Sequence, residues 1–174
     1  MKAKRGQESL AKESLQGLQN IVLKLDPVLN PYGFVFELES NGFSSLGFFA
    51  SGYYKRLPIQ IGLIYRHCLG SVNYEWDEFN MSHTDYMEYL GHAHDCKLIY
   101  SEGGFESVAR DGGNPAIALI YDLEHFAKPM LEGDVDGFAH IVKTAYETRL
   151  KELYGEQYDA FMEFFRNVQT QKSG

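Results

Sequence analysis

The sequence predicts an α+β fold: an N-terminal helix, an antiparallel β-meander of about four strands, and C-terminal helices packed on one sheet face. Apolar residues alternate with other residues over Ile59–Arg66, which is typical of a strand with one covered face. Apolar residues at helical spacing over 18–29 and 116–130 indicate helices on either side of the strands. Because 174 residues suffice for one buried core and are few for two, we expect a single α+β domain over 1–174.

The chain is expected to begin with a frayed polar segment, residues 1–12, followed by the first helix. Asp26-Pro27 predicts that this helix ends or restarts there as a short turn, because helical backbone is disfavoured before a proline. A turn sequence at 30–33 then leads into the first strand.

Four strands are expected in succession. The first covers Phe34–Ser40, and Asn41-Gly42 predicts a type I′ hairpin turn because both residues accept positive φ. The second covers Phe43–Lys55 and is expected to contain a bulge or bend at its glycines. The remaining segments are, in order, the turn 56–58, the strand Ile59–Arg66, the turn 67–70 and the strand Ser71–Trp76.

Capping signals predict the later helices. Ser82 followed by Asp85 opens a short helix that reaches Leu90 and ends at Gly91, and residues 97–100 can form a fifth strand. The other predicted features are a helix from Asn114-Pro115 to Gly133, a helix from Asp134 to Gly155, an apolar stripe of Tyr158, Phe161, Met162 and Phe165, and a polar tail at 168–174.

The composition favours a cytoplasmic protein that binds neither nucleic acid nor membrane. The formal net charge is −8, which opposes a nucleic-acid surface. No apolar run reaches the roughly 20 residues of a membrane helix, and no apolar signal core follows the basic start. In such a compartment Cys68 and Cys96 are expected to be free thiols.

Most of the negative charge lies in residues 75–111, which we name the acidic segment. It contains nine acidic residues against Lys97 and Arg110, a net charge of −7. Either this is a solvated surface, or it is a face for a cationic partner, since aromatic anchors among charges are typical of interfaces. The predicted partner-binding residues are Trp76, Asp77, Glu78, Phe79, Asp85 and Tyr89.

A second hypothesis assigns the region from His83 to Cys96 to a small-molecule-binding protein or a metal-dependent enzyme. The candidate metal ligands are His83, His92, His94 and Cys96, residue types that zinc accepts. No second, equally spaced pair accompanies His-x-His, so ordinary polar loop residues are the alternative interpretation, and we expect no cofactor. Cys68 beside His67 could form a nucleophile pair, but neighbours on a strand point to opposite faces. No catalytic motif is present, which favours a non-enzymatic protein.

Three stretches, Gly52–Arg56, Tyr65–Tyr74 and Ser82–Met87, are similar to small uncharacterised bacterial proteins, some of them predicted immunity proteins of polymorphic toxin systems. The shared pattern is Arg-x-x-Leu-Gly-x-Val-x-Tyr followed by Ser-His-x-x-Tyr-Met. The resemblance implies a bacterial binding protein and provides no catalytic residues. We therefore expect a non-enzymatic, immunity-like protein-binding module for a basic protein partner, with a homodimer as a further alternative.

Overall fold

The computed structural model describes residues 2–101, 106–160 and 163, with side chains from residue 9 onward. A five-stranded antiparallel sheet, an N-terminal helix and C-terminal helices packed on the sheet form the architecture. The predicted α+β class is therefore confirmed.

The first helix, α1, spans Lys2–Leu29 and so begins within the segment 1–12 that was expected to fray. Leu18, Leu25 and Leu29 are fully buried. The predicted apolar stripe is thus the face that packs against the sheet.

The prediction that α1 ends or restarts at Asp26-Pro27 is wrong, because the helix continues through both residues. Pro27 cannot donate to the carbonyl of Leu23, four residues earlier, and Leu23 lies on the exposed side of the helix with 69% of its surface accessible. Water can replace the lost hydrogen bond there. The helix leads into a 3-10 turn at Asn30–Tyr32, as the turn sequence predicted, and Gly33 follows at φ 82°.

The first hairpin joins β1, Val35–Ser44, to β2, Gly47–Arg56, through the two residues 45 and 46. The predicted turn at Asn41-Gly42 is therefore wrong, since both residues lie within β1 and pair with β2. A turn at Asn41-Gly42 would leave the second half of β2 without a partner in β1. The observed register pairs β2 along its length and places the Phe36 ring 5.2 Å from the Tyr54 ring.

The bulge predicted in the second strand lies instead in β1. Leu38 pairs with Gly52 and Ser40 pairs with Ser51, so Glu39 is the extra residue. A Cβ on Gly52 would lie 2.6 Å from the carbonyl oxygen of Glu37. The glycine therefore lets β1 approach β2 closely beside the bulge.

Three further strands complete the sheet: β3, Ile59–Tyr65; β4, Leu69–Trp76; and β5, Phe79–Ser82. Ile61 and Leu63 are buried, as the alternation predicts. Strand β5 was not predicted from the sequence; it follows β4 through a tight turn at residues 77 and 78. Strand order follows chain order from β1 to β5.

The signals after the sheet are mostly confirmed. Helix α2 spans His83–Tyr89, with the Ser82 hydroxyl accepting from the Asp85 N–H, and Gly91 follows at φ 80°. Strand β6, Leu98–Tyr100, forms within the predicted range. It pairs with β7, Ser107–Ala109, in a separate two-stranded sheet.

The single helix predicted from Asn114 to Gly133 is two helices, α3, Pro115–His125, and α4, Lys128–Glu132. Pro129 explains the break, because it cannot donate to the carbonyl four residues before it. Asn114 and Asp134 are the predicted N-caps, and α5 spans Val135–Tyr154 before Gly155. Tyr158 is half-buried, while Phe161, Met162, Phe165 and the tail 168–174 lie outside the described residues.

The two sheet faces differ in character. The inner face presents Tyr54, Ile61, Leu63 and Tyr74 to the helices, with α1 against β1 to β3 and α5 against β4 and β5. The outer face presents the residues that alternate with these, among them Tyr53, Gly62, Asn73 and Glu75. Within the described parts of the chain, no helix combines the length and apolar character needed to cross a membrane.

Candidate functional site

A groove of about 750 Å³ lies where β5, α2 and α5 meet, and we name it the acidic groove. Strand β5 forms one side, α2 forms the second, and the last turns of α5 form the third. Its lining residues are Asn80, Met81, Ser82, Asp85, Glu88, Tyr89, Tyr100, Ala145, Tyr146, Thr148, Arg149 and Glu152.

Acidic residues outnumber basic residues in the lining of the acidic groove. Asp85 and Glu88 come from α2 and Glu152 from α5, whereas Arg149 is the one basic residue among the described lining. Glu88, Arg149 and Glu152 are exposed and Asp85 is half-buried. The groove therefore presents an excess of negative charge to a ligand.

Tyrosines provide the apolar surface of the groove. Tyr89 is 41% exposed, and Tyr100 and Tyr146 are half-buried. The Phe79 ring lies 5.2 Å from the Tyr146 ring and 5.9 Å from the Trp76 ring. These contacts connect the end of the groove to the β4–β5 hairpin by a row of aromatic rings.

The packing of α2 explains why its acidic side chains face the groove. Tyr86 and Met87 are buried, and the Tyr86 ring lies 4.5 Å from the Tyr74 ring of β4. Anchoring this side of a short helix to the core turns the opposite side outward. Asp85, Glu88 and Tyr89 occupy that outward side.

Asp85 also influences the chemistry of Tyr100. Burial raises the pKa of Tyr100, a backbone hydrogen bond with Val72 opposes the rise, and the charge of Asp85 adds to it. The phenol therefore stays protonated at neutral pH. It provides a neutral, polar wall next to a carboxylate.

The structure brings the six predicted partner-binding residues together in two neighbouring groups. Asp85 and Tyr89 line the acidic groove. The other four form the β4–β5 hairpin tip, where residues 77 and 78 are exposed and Trp76 and Phe79 are half-buried and stacked. The Phe79–Tyr146 contact joins the two groups.

The acidic segment as a whole does not form one surface. Glu75 lies on the outer face of the sheet, Asp85 and Glu88 line the groove, and Asp111 lies in the loop before α3. Glu102 lies outside the described residues. The negative charge predicted for one face is thus distributed over several.

The candidate metal ligand His83 belongs to a buried hydrogen-bond network. Its Nδ1 lies 2.8 Å from the Tyr74 hydroxyl, and its Nε2 lies 3.0 Å from Oδ2 of Asp122. Asp122 also accepts from the N–H groups of Lys97 and Leu98, at 2.6 and 2.8 Å. Both nitrogens of His83 are therefore occupied by protein partners.

The other candidate ligands have different surroundings. His92 stacks on Phe126 with ring centroids 4.3 Å apart, His94 is exposed, and Cys96 is buried with its sulfur 3.4 Å from the carbonyl of Ala93. Across the described residues, no three His, Cys, Asp or Glu side chains are grouped as metal ligands would be. The candidate metal ligands therefore do not form an assembled site among the described residues.

Neither cysteine has the properties of a nucleophile. Cys68 and Cys96 are free thiols, and burial raises the pKa of both. For Cys68 the nearby Glu106 adds to the rise, whereas for Cys96 a hydrogen bond with Arg110 opposes it. Both thiols are therefore mainly protonated at neutral pH, which disfavours covalent catalysis.

Sequence reasoning missed the contribution of α5 to the groove. Tyr146, Arg149 and Glu152 follow one another at three-residue spacing, so they share one side of the helix. That spacing is visible in the sequence. Nothing in it indicates that this side meets α2.

Comparison of the chain with protein-family models, with curated proteins and with solved structures finds no match.

Proposed function

We propose that the protein is a non-enzymatic binding protein that holds a basic segment of another protein in the acidic groove. The observation that carries this proposal is the lining of the groove, in which three carboxylates and three tyrosines surround a volume of about 750 Å³. Aromatic rings supply contact area at low entropic cost, and surrounding charge selects the partner. A lysine- or arginine-rich segment matches both features.

The hairpin tip extends this surface. Asp77 and Glu78 are exposed beside the stacked Trp76 and Phe79. Exposed charges at the rim of an interface mainly accelerate encounter, and their effect falls with ionic strength. Changing both residues to lysine is therefore expected to slow association and weaken its salt dependence.

A peptide in which lysine alternates with serine tests the proposal, with a matched peptide in which glutamate replaces lysine. Fluorescence anisotropy should show saturable binding of the lysine peptide alone. The combined variant Asp85→Asn, Glu88→Gln and Glu152→Gln should bind about tenfold more weakly, since three solvent-accessible ion pairs contribute about 0.5 kcal/mol each.

A variant with the same change in net charge is the control. Glu124→Gln, Asp136→Asn and Asp159→Asn lie outside the groove and are exposed. This variant should bind like the wild type. Equal weakening in both variants, or no binding of the lysine peptide, would show that the groove does not recognise basic segments.

The resemblance to immunity proteins suggests the kind of partner. We propose that the partner is a toxin of the same bacterium, which this protein binds and blocks through the groove. Co-expression with a toxin encoded by a neighbouring gene should yield a stable complex and restore growth, and the triple groove variant should bind the toxin more weakly and restore growth less. Neighbouring genes that encode only metabolic enzymes would contradict the immunity role.

A further inference from the structure

The outer face of the sheet contains a depression of about 360 Å³, separate from the acidic groove. Its base is Gly62 in the central strand β3, which contributes no side chain. Ser51 and Tyr53 of β2 lie on one side and Glu75 of β4 on the other. A Cβ on Gly62 would lie 3.0 Å from the Tyr53 ring and 3.7 Å from a carboxylate oxygen of Glu75. The glycine therefore creates the space that these side chains enclose.

The β1 bulge supplies another wall of the depression. Because Glu39 and Ser40 both oppose Ser51, the bulge directs two successive side chains toward the outer face. The Ser51 hydroxyl donates to a carboxylate oxygen of Glu39 at 2.9 Å, which fixes the position of that carboxylate. The bulge in the edge strand β1 thus places the Glu39 carboxylate opposite Glu75.

The two carboxylates influence each other. Burial, then the charge of Glu39, raises the pKa of Glu75, and a hydrogen bond from Tyr53 opposes the rise. Neither carboxylate forms an ion pair with a base among the described residues, whereas Glu37 on the same face pairs with Lys55. A positive charge placed between Glu39 and Glu75 would relieve their repulsion.

Arg66 places a positive charge at one end of the depression. Its guanidinium lies over the Phe49 ring, 5.6 Å from the centroid, and donates to the Ser44 hydroxyl at 3.2 Å. These contacts hold the positive charge at the Phe49 end, away from the base at Gly62. The other end is walled by Glu39, Tyr53 and Glu75, and the nearby Lys55 ammonium, 5.9 Å from the Tyr53 ring centroid, pairs with Glu37 rather than with either of these carboxylates.

We propose that this depression binds a small organic cation whose protonated amino or guanidinium group lies between Glu39 and Glu75, against the Tyr53 ring. The carboxylates supply charge-assisted hydrogen bonds, and the ring supplies a cation–π contact. The outer edge of the depression is open to solvent, so the remainder of the ligand can extend from it.

Titration of the labelled protein with pentylamine and with agmatine, followed by amide NMR, tests this proposal. Both compounds should shift the Gly62 and Asn73 amides saturably, and pentanoate should not. Glu75→Gln and Glu39→Gln should each weaken binding about tenfold or more, as expected for loss of a charge-assisted contact. Tyr53→Leu should weaken binding without altering the charge.

Two variants serve as controls. Glu124→Gln removes an exposed carboxylate from α3, and Asp85→Asn removes a half-buried carboxylate from the acidic groove. Both should bind pentylamine like the wild type. No saturable shift at Gly62 and Asn73 up to about 10 mM amine, or unchanged binding in the Glu39→Gln, Glu75→Gln double variant, would overturn the proposal.

Discussion

Asp122 connects three parts of the protein through its carboxylate. It lies on α3, is fully buried, and accepts from His83 of α2 and from the backbone of Lys97 and Leu98 at the start of β6. Nε2 of His83 lies 3.0 Å from the Asp122 carboxylate, and its Nδ1 lies 2.8 Å from the Tyr74 hydroxyl. Burial raises the pKa of Tyr74 well above its ordinary value, so the hydroxyl remains a donor.

Asp122→Ala should lower the free energy of unfolding by about 3–5 kcal/mol, because it leaves His83 and the N–H groups of Lys97 and Leu98 without an acceptor, and each such loss costs about 1–3 kcal/mol. Tyr74→Phe removes one hydroxyl and should cost about 1–3 kcal/mol. Glu124→Ala, two residues along the same helix and exposed, should change stability by about 0.5 kcal/mol or less. Urea unfolding measures all three, and equal effects of Asp122→Ala and Glu124→Ala would contradict the role of the network.

Glu75 should make the protein less stable as pH rises. Its pKa is raised in the folded protein, first by burial and then by Glu39, so the folded chain binds this proton more tightly than the unfolded chain. This contribution to stability is therefore present below the ordinary carboxyl pKa and is lost as pH rises through the raised value. Glu75→Gln should have a Tm at or above that of the wild type at about pH 7, and the difference should shrink at about pH 4. A lower Tm at neutral pH would show that the carboxylate stabilises the fold instead.

At the scale of elements, the first hairpin shows how pairing overrides a local turn preference. Asn41-Gly42 has the composition of a type I′ turn, yet both residues are extended within β1. The register that pairs β2 along its length requires the turn at residues 45 and 46. A glycine at 42 is then unnecessary, whereas the glycine at 52 is required by the close approach of β1.

Two alanine substitutions compare the contributions of Gly42 and Gly52 to stability. Gly52→Ala should destabilise the protein by about 1–3 kcal/mol, because its Cβ would collide with the Phe36 ring and the Glu37 carbonyl. Gly42→Ala should change stability by about 0.5 kcal/mol or less, since no atom lies within 4 Å of its Cβ and its φ is not positive. Thermal unfolding of both variants is the measurement. A large loss of stability in Gly42→Ala would instead indicate a turn at Asn41-Gly42.

Local signals were sufficient for most of the elements. Ser82, Asn114 and Asp134 cap the predicted helices because a cap depends only on the next three residues. The hairpin register and the break before α4 were not predicted correctly. Register depends on strands that are distant in sequence, and the regular stripe of apolar residues concealed the effect of Pro129.

Across the whole chain, the sequence indicated two residues that line the acidic groove but not the helix that completes it. Asp85 and Tyr89, two of the predicted partner-binding residues, line the acidic groove, but Tyr146 and Glu152 come from a helix some sixty residues later. The count of charges along the chain could not show that Glu75 lies apart from the groove residues. The pleat of β4 places Glu75 on the outer face of the sheet. The packing of the elements decides which acidic residues lie on the same surface.

Amide chemical shifts can locate the bound lysine–serine peptide on the surface of the protein. Saturable shifts are expected at the residues that line the acidic groove, among them Asn80, Asp85, Tyr89, Tyr100 and Arg149. In the Asp85→Asn, Glu88→Gln, Glu152→Gln variant, about tenfold more peptide should be needed to produce the same shifts. Shifts confined to Gly62, Asn73 and their neighbours on the outer face, or no shifts at all, would contradict the assignment of the groove as the partner-binding site.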